Sequence, residues 1–174
     1  MVSNNTKTAE ERLTEYLLEL CTSQGYLKGK LLFSEDLDGF WHRIAPSYYG
    51  DSVSEFNDYP EFSLACAGYL GMAAALLWDK DWSKYADVPY SFFRGPRGFD
   101  DMDDHITGTI LKEEKTSVGA MQSCSTAAYH FLLKEGPEPG TAEAYKLFLT
   151  IAEVMFRTGA AIELNLLGYK LERI

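Results

Sequence analysis

Acidic residues and a histidine crowd the segment from Asp100 to His105, which carries the side chains best suited to chemistry. On a helix, Asp100 and Asp104 lie one turn apart on one face, and Asp101 and His105 do the same. Carboxylates at this spacing can hold Mg²⁺ or another hard cation. We therefore take Asp100, Asp101, Asp104 and His105 as a candidate site for a metal ion or a small ligand.

Asp100, Asp101 and Asp104 have the spacing DDxxD. This spacing resembles the aspartate-rich motif of prenyl-diphosphate synthases and terpene cyclases, which are also all-helical proteins. The resemblance is confined to this motif, because the chain is short for that fold and no second metal-binding motif accompanies it. We predict no cofactor, and a divalent metal at this motif is the open alternative.

The same aspartates also have a structural explanation. Negative side chains in the first turns of a helix are stabilised by the helix macrodipole and by N–H groups that lack helical partners. Arg94 and Arg97 stand just before the cluster and are ready partners for ion pairs. The sequence favours this arginine–aspartate pairing over a metal site.

The loop before the cluster offers a second candidate site. Arg94 and Arg97 precede a predicted helix, and both guanidinium groups and helix N-termini bind anions such as phosphate. Tyr90, Phe92 and Phe93 lie beside them in the sequence, and aromatic residues with arginine recur at interface hot spots. All of these residues are candidates for an anion site or a partner-binding surface.

The rest of the chain lacks the familiar patterns of catalysis. It contains no HExxH, GxSxG, P-loop or GxGxxG pattern. Cys21, Cys66 and Cys124 are far apart and form no CxxC pair, which is typical of buried thiols in a reducing compartment. The first residues are polar and contain no apolar signal-peptide core. We therefore expect a cytoplasmic protein, and the sequence leans against an enzyme.

The uncharged stretch Phe62–Trp78 predicts the element around which the others pack. It is rich in alanine and leucine and too long for an ordinary strand. It is also shorter than the roughly 20 apolar residues of a membrane span and has charged residues on both sides. We expect a buried central helix at about residues 60–85, with Gly68 and Gly71 letting neighbouring backbones come close.

Apolar residues recur at helical spacing in further segments around this central helix. Their predicted starts are Thr8, Ser34, Phe99, Ser117 and Thr141. Thr8 and Thr141 are good N-cap residues, and Gly136 followed by Pro137 is a strong stop signal for the helix before it. The helix that starts at Phe99 is expected to continue to about Glu114.

Other stretches predict loops or irregular structure. Pro46 should limit the second helix as a regular helix, which makes Ser47–Tyr59 a loop with a short helical turn. Ala86–Gly98 contains two prolines and two glycines and is the clearest loop. Leu27–Phe33 and Val88–Phe93 are weak strand candidates.

These patterns predict an all-α protein, a single-domain bundle of five to six helices over residues 8–174, after a disordered tail at 1–7. The predicted last helix runs from Thr141 to about Leu171 and is apolar over a broad face. That face could serve both the core and a second subunit. We therefore expect a homo-oligomer that acts through protein–protein contacts. The alternative is a metal- or small-molecule-binding protein or enzyme with its site at 100–105.

The net charge of −10 narrows the range of partners. Such a surface repels phosphate backbones, so we expect no nucleic-acid partner. We also expect no membrane partner, because the apolar stretch suits a buried core helix. A basic protein is the macromolecular partner that this charge would attract.

Overall fold

A computed structural model of the chain describes residues 6–28, 34–55, 60–112 and 115–169. These residues form six α-helices and no β-strand. The helices are α1 (Ala9–Ser23), α2 (Glu35–Glu55), α3 (Pro60–Tyr85), α4 (Phe99–His105), α5 (Lys115–Glu135) and α6 (Ala142–Leu166). Because α3 packs against α2, α4, α5 and α6, the predicted all-α bundle around a central helix is confirmed.

Helix α3 spans Pro60–Tyr85, as predicted for the central helix. Every residue from Ser63 to Ala75 is buried. Its backbone becomes extended at Asp81 (φ −168°, ψ 87°), whose carboxylate accepts from the Lys84 N–H and starts a last helical segment. Among the described residues α3 is the one helix long and apolar enough to cross a membrane, and 78% of its apolar window is buried inside the protein. Packing by the neighbouring helices therefore accounts for its composition.

The most extensive helix–helix contact among the described residues is that between α3 and α6, and glycines make their close approach possible. A Cβ added at Gly71 would collide with the backbone oxygen of Phe156, and one added at Gly159 would collide with the backbone oxygen of Gly68. The two backbones thus touch where side chains would otherwise separate them. The expectation that Gly68 and Gly71 are buried is confirmed.

Several helix ends follow from local sequence. The Thr8 hydroxyl accepts from the Glu11 N–H at 3.1 Å, and the Thr141 hydroxyl accepts from the Ala144 N–H at 3.1 Å. Each contact satisfies a donor that has no partner within its helix, as expected of an N-cap. Gly136 follows α5 with φ 75°, a conformation that favours glycine. The predicted starts at Thr8 and Thr141 and the stop at Gly136 are therefore confirmed.

The prediction that Pro46 limits the second helix was wrong, because α2 continues through Pro46 to Glu55. Proline inside a helix costs about 3 kcal/mol. Pro46 lies on the exposed face of α2, while Trp41 and Tyr48 are buried on the other face with ring centroids 5.5 Å apart. Burial of large side chains contributes about 1.5–3 kcal/mol each, so the tertiary packing outweighs the proline.

The remaining loop and strand expectations have mixed outcomes. Val88–Phe93 is not a strand but holds a 3₁₀ turn at Tyr90–Phe92 within the loop predicted between α3 and α4. Most of the other strand candidate, Leu27–Phe33, falls on 29–33, which lies outside the described residues. The end of the loop predicted after Pro46, 56–59, also lies outside them.

Helix α4 is shorter than the helix predicted to reach Glu114. It ends at His105 and continues as a π-helical segment, Ile106–Ile110. Phe99, Met102 and Ile106 are buried, so the predicted apolar stripe does hold α4 against the core. This stripe leaves the polar residues of α4 on its two flanks. The wider π-helical turn is a local irregularity of the kind often found near functional sites.

Helix α6 is also shorter than predicted, with 25 residues. It ends at Leu166, and Gly168 follows with φ 96°. Most apolar residues of α6 are buried within one chain, although Leu166 at its end is exposed; the buried ones include Phe148, Ile151, Val154, Met155, Phe156, Ile162 and Leu164. The broad apolar face that suggested a second subunit therefore packs inside the monomer, and the homo-oligomer stays a prediction.

Candidate functional site

One flank of α4 faces the loop that precedes it. The backbone N–H of Arg97 donates to the Asp101 carboxylate at 2.7 Å, and the Arg97 guanidinium contacts the same carboxylate. The Arg97 N–H, followed by its guanidinium, lowers the pKa of Asp101 below its ordinary value. Arg97 also lies 3.4 Å from a carboxylate oxygen of Asp104. The arginine–aspartate pairing that the sequence favoured is therefore present for Arg97.

Arg94 takes a different partner, because its guanidinium pairs with Asp51 of α2 at 2.6 Å. The Tyr90 hydroxyl donates to the same carboxylate at 2.8 Å. Phe93 is buried and its ring packs edge-on against Phe40 of α2, with centroids 5.9 Å apart. Three of the candidate anion or interface residues thus attach the loop to α2.

The other candidates on this flank are more exposed. The Phe92 ring is 38% exposed and lies 6.1 Å from the ring of His105. Asp100 is exposed and lines none of the cavities described below. The loop and α4 border an open cavity of about 460 Å³, lined by Phe92, Arg94, Gly95, Pro96, Arg97, Asp101, Asp104, His105 and Thr109. Both arginines of this cavity already contact carboxylates, so it offers no strong excess of either charge.

Three of the four residues of the predicted metal site lie together in the structure. Asp101, Asp104 and His105 share the loop-facing cavity, whereas Asp100 does not line it. Within the described residues no group of three or more His, Cys, Asp or Glu side chains is placed to hold a metal ion. Arg97 contacts two of the carboxylates that a metal would need. This flank is therefore arranged as an ion-pair cluster.

The opposite flank of α4 borders a second and larger cavity. We call it the acidic groove; it lies between α3, α4 and α5 and has a volume of about 620 Å³. It is lined by Pro60, Glu61, Phe62, Ala65, Tyr69, Asp103, Gln122, Ser125, Thr126 and Tyr129. Its size is within the range usual for small-molecule sites.

Asp103 is the member of the aspartate cluster that faces this groove. Its carboxylate has no hydrogen-bond or ion-pair partner among the described residues. Partial burial, and then the charges of Asp104 and Asp100, raise the pKa of Asp103 above its ordinary value. An acidic side chain held without a cation at the wall of a cavity is suited to contact a ligand.

Tyr69 of α3 supplies the second polar group. Its side chain lines the groove although the residue is only 4% exposed. Among the described residues its hydroxyl has no hydrogen-bond partner. Burial, and then the nearby Asp103 carboxylate, raise the pKa of the Tyr69 phenol, so it stays protonated and able to donate. A hydroxyl and a carboxylate, neither with a partner among the described residues, thus share one cavity.

The remaining walls add charge and aromatic surface. Glu61 at the start of α3 accepts from the Thr126 hydroxyl of α5 at 2.6 Å, which joins the two helices across the groove. Among the described residues no Lys, Arg or His side chain lines the groove. Phe62 and Tyr129 present aromatic surface beside Tyr69. The groove is therefore an anionic and partly aromatic site that lacks a cation of its own.

The candidate site residues chosen from the sequence include neither Asp103 nor Tyr69, which line the groove. Residues in a helix advance by about 100° each, so Asp103 lies beside the buried stripe on the side opposite Asp101 and His105. That signal marks Asp103 as a flanking residue of the buried face. Nothing local to Tyr69 indicates that a cavity forms there, because the cavity depends on how α3 and α5 pack.

The chain was compared with protein-family models, curated proteins and solved structures. No protein-family model, curated protein or solved structure matches it. The function must therefore be argued from the side chains of the site.

Proposed function

We propose that the protein binds a small organic cation, an ammonium or amidinium compound, in the acidic groove. The observation that carries the proposal is the pairing of Asp103 with Tyr69. Both line one cavity, and neither polar group has a hydrogen-bond partner among the described residues. A ligand with N–H donors satisfies the carboxylate as an ion pair and the phenol oxygen as an acceptor.

The charge and the aromatic rings of the groove support the same class of ligand. Glu61 and Asp103 attract a cation and repel an anion. The faces of Phe62, Tyr69 and Tyr129 can add cation–π attraction of about 0.5–2 kcal/mol. A bare metal ion is a poorer candidate, because the described residues bring together no set of three or more metal-ligating side chains.

The test compares three probes of one shape and different charge: benzylammonium, benzyl alcohol and benzoate. We expect saturable binding of benzylammonium by isothermal titration calorimetry and little or no binding of the other two. Asp103→Asn should weaken benzylammonium binding about tenfold or more, since an ion-paired hydrogen bond to a partly buried group is lost. Asp100→Asn is the matched control, because it removes the same charge from an exposed position outside the groove.

Two outcomes would contradict the proposal. One is equal affinity for benzylammonium and benzoate, which would mean that the carboxylates do not select the ligand. The other is an equal loss of affinity in Asp103→Asn and Asp100→Asn, which would assign the effect to overall charge and not to the groove.

A further inference from the structure

A second cavity adjoins the acidic groove. We call it the apolar cleft; it has a volume of about 280 Å³ and is more enclosed than the groove. It is lined by Pro60, Tyr129, Leu132, Leu133, Pro137, Pro139, Gly140 and Ala144. Pro60 and Tyr129 line both cavities, so the two form neighbouring compartments that meet at the start of α3.

The two compartments differ in chemistry. No charged or amide side chain is among the described residues that line the apolar cleft. Its floor comes from the end of α5 and the start of α6, and its wall from the turn between them. Pro137 and Pro139 in that turn have no backbone N–H to offer a ligand. Hydrocarbon is therefore the material that this cleft suits, whereas the groove beside it suits a cation.

We infer that the ligand is an amphiphilic amine, whose ammonium head binds in the acidic groove and whose hydrocarbon tail crosses Pro60 and Tyr129 into the apolar cleft. The inference rests on the proposed function and specifies the class of ligand. Fatty acids have the right tail and the wrong charge, because Glu61 and Asp103 would repel their carboxylate. A neutral alkane chain would cover Asp103 and Tyr69 without giving either a hydrogen bond.

The test uses a homologous series of probes: propylammonium, pentylammonium and octylammonium, each below its critical micelle concentration. Burial of each added methylene should strengthen binding about fourfold until the tail fills the cleft. Octanoate, with the tail and the opposite charge, should bind far more weakly than octylammonium. Affinity that does not rise with chain length would overturn the inference and leave the proposed function standing. If no amine of the series binds, the proposed function fails as well.

A pair of variants locates the tail. Leu133 is 56% exposed at the edge of the cleft, and Leu166 is 45% exposed at the far end of α6. Leu133→Ser should weaken octylammonium binding several-fold and leave propylammonium unchanged, while the matched control Leu166→Ser should change neither. Ala144→Leu, which fills the cleft, should remove the gain from chain length. Equal effects of Leu133→Ser on the short and long amines would overturn the inference.

Discussion

At the scale of single residues, the proposed ligand site depends on a contrast between Asp101 and Asp103. The two side chains lie on opposite flanks of α4, two positions apart. Asp101 has Arg97 as a partner, and Asp103 has no cation among the described residues. A residue type that looks equivalent in the sequence therefore has two different roles in the fold.

This contrast predicts that Asp103→Asn stabilises the protein while it weakens binding. The folded pKa of Asp103 is raised above its unfolded value of 3.8, so the ionised side chain reduces stability at pH values above the folded pKa. That cost disappears as the pH falls below the unfolded pKa. After allowance for solvent screening, we expect a gain of about 0.5 kcal/mol at neutral pH and none near pH ~3. Urea denaturation at several pH values measures it.

Asp101→Asn provides the opposite control on the same helix. The folded pKa of Asp101 is lowered, so its stabilising effect is present above the unfolded pKa and is lost as the pH falls through the folded pKa. This variant should therefore be less stable than wild type at neutral pH. If both variants change the free energy of unfolding in the same direction, the assignment of the two flanks is wrong.

The sequence drew attention to α4, which borders the proposed site, but not to Asp103 or Tyr69. The aspartates, the flanking arginines and the apolar stripe of α4 are all local features, and local features predicted the pairing of Arg97 with the cluster. The groove depends on Tyr69 and Gln122, which are far from Asp103 in the sequence and approach it only when α3 and α5 pack. The sequence alone does not show how two helices pack, so no spacing rule relates residues on one helix to residues on the other.

At the scale of elements, the contact between α3 and α6 limits what can be changed. Gly71→Ala places a Cβ against the Phe156 backbone, and backbone cannot move aside as a side chain can. We expect a loss of about 1–3 kcal/mol in the free energy of unfolding, measured by urea or thermal denaturation.

Gly39→Ala on α2 is the matched control, because nothing lies within 4 Å of the added Cβ. There alanine should stabilise the helix by about 0.5–1 kcal/mol, since glycine loses more conformational freedom on folding. Equal effects of the two substitutions would contradict the close helix contact.

The helix ends show which parts of the fold were predictable. Thr8, Thr141 and Gly136 mark their helix ends through bonds or backbone angles that involve neighbours in the sequence. Pro46 was misleading because its effect on α2 is outweighed by the burial of Trp41 and Tyr48 in the core. Local rules therefore predict helix ends well where the end is exposed and poorly where tertiary packing carries the helix through.

At the scale of the whole molecule, Arg157 links three helices. Its guanidinium contacts Glu10 of α1 at 2.6 Å, Asp38 of α2 at 3.1 Å and Glu153 of α6 at 2.9 Å. These ion pairs join α6 to both α1 and α2. His42 lies 3.5 Å from Glu153 at the edge of the same cluster.

Arg157→Gln should be among the more damaging single substitutions. It leaves three carboxylates close together without the cation that binds them, and Arg157 is partly buried. We expect a loss of about 1–3 kcal/mol at neutral pH, less than for a fully buried pair. The loss should shrink as the pH falls and the carboxylates are protonated, which thermal denaturation across pH can measure. A loss that is independent of pH would mean that packing, not charge, accounts for the effect.

The homo-oligomer was predicted from the apolar face of the last helix, and that face packs inside the chain. Because the apolar face of α6 is used inside one chain, a homo-oligomer would need another contact surface. Sedimentation velocity at tens of micromolar protein tests that prediction, and a single monomer species would contradict it. The net charge of −10 keeps a basic partner as a separate prediction, for which the salt dependence of a captured complex is the measurement.

We propose that the ammonium group of the ligand lies between Asp103 and Tyr69. Intermolecular nuclear Overhauser effects from bound octylammonium to assigned protein side chains test it most directly. We predict contacts from the methylene beside the nitrogen to the Tyr69 ring, and contacts from the terminal methyl to Leu132 in the apolar cleft. Contacts from that methylene to Phe92 and His105 on the opposite flank of α4, with none to Tyr69, would contradict the claim.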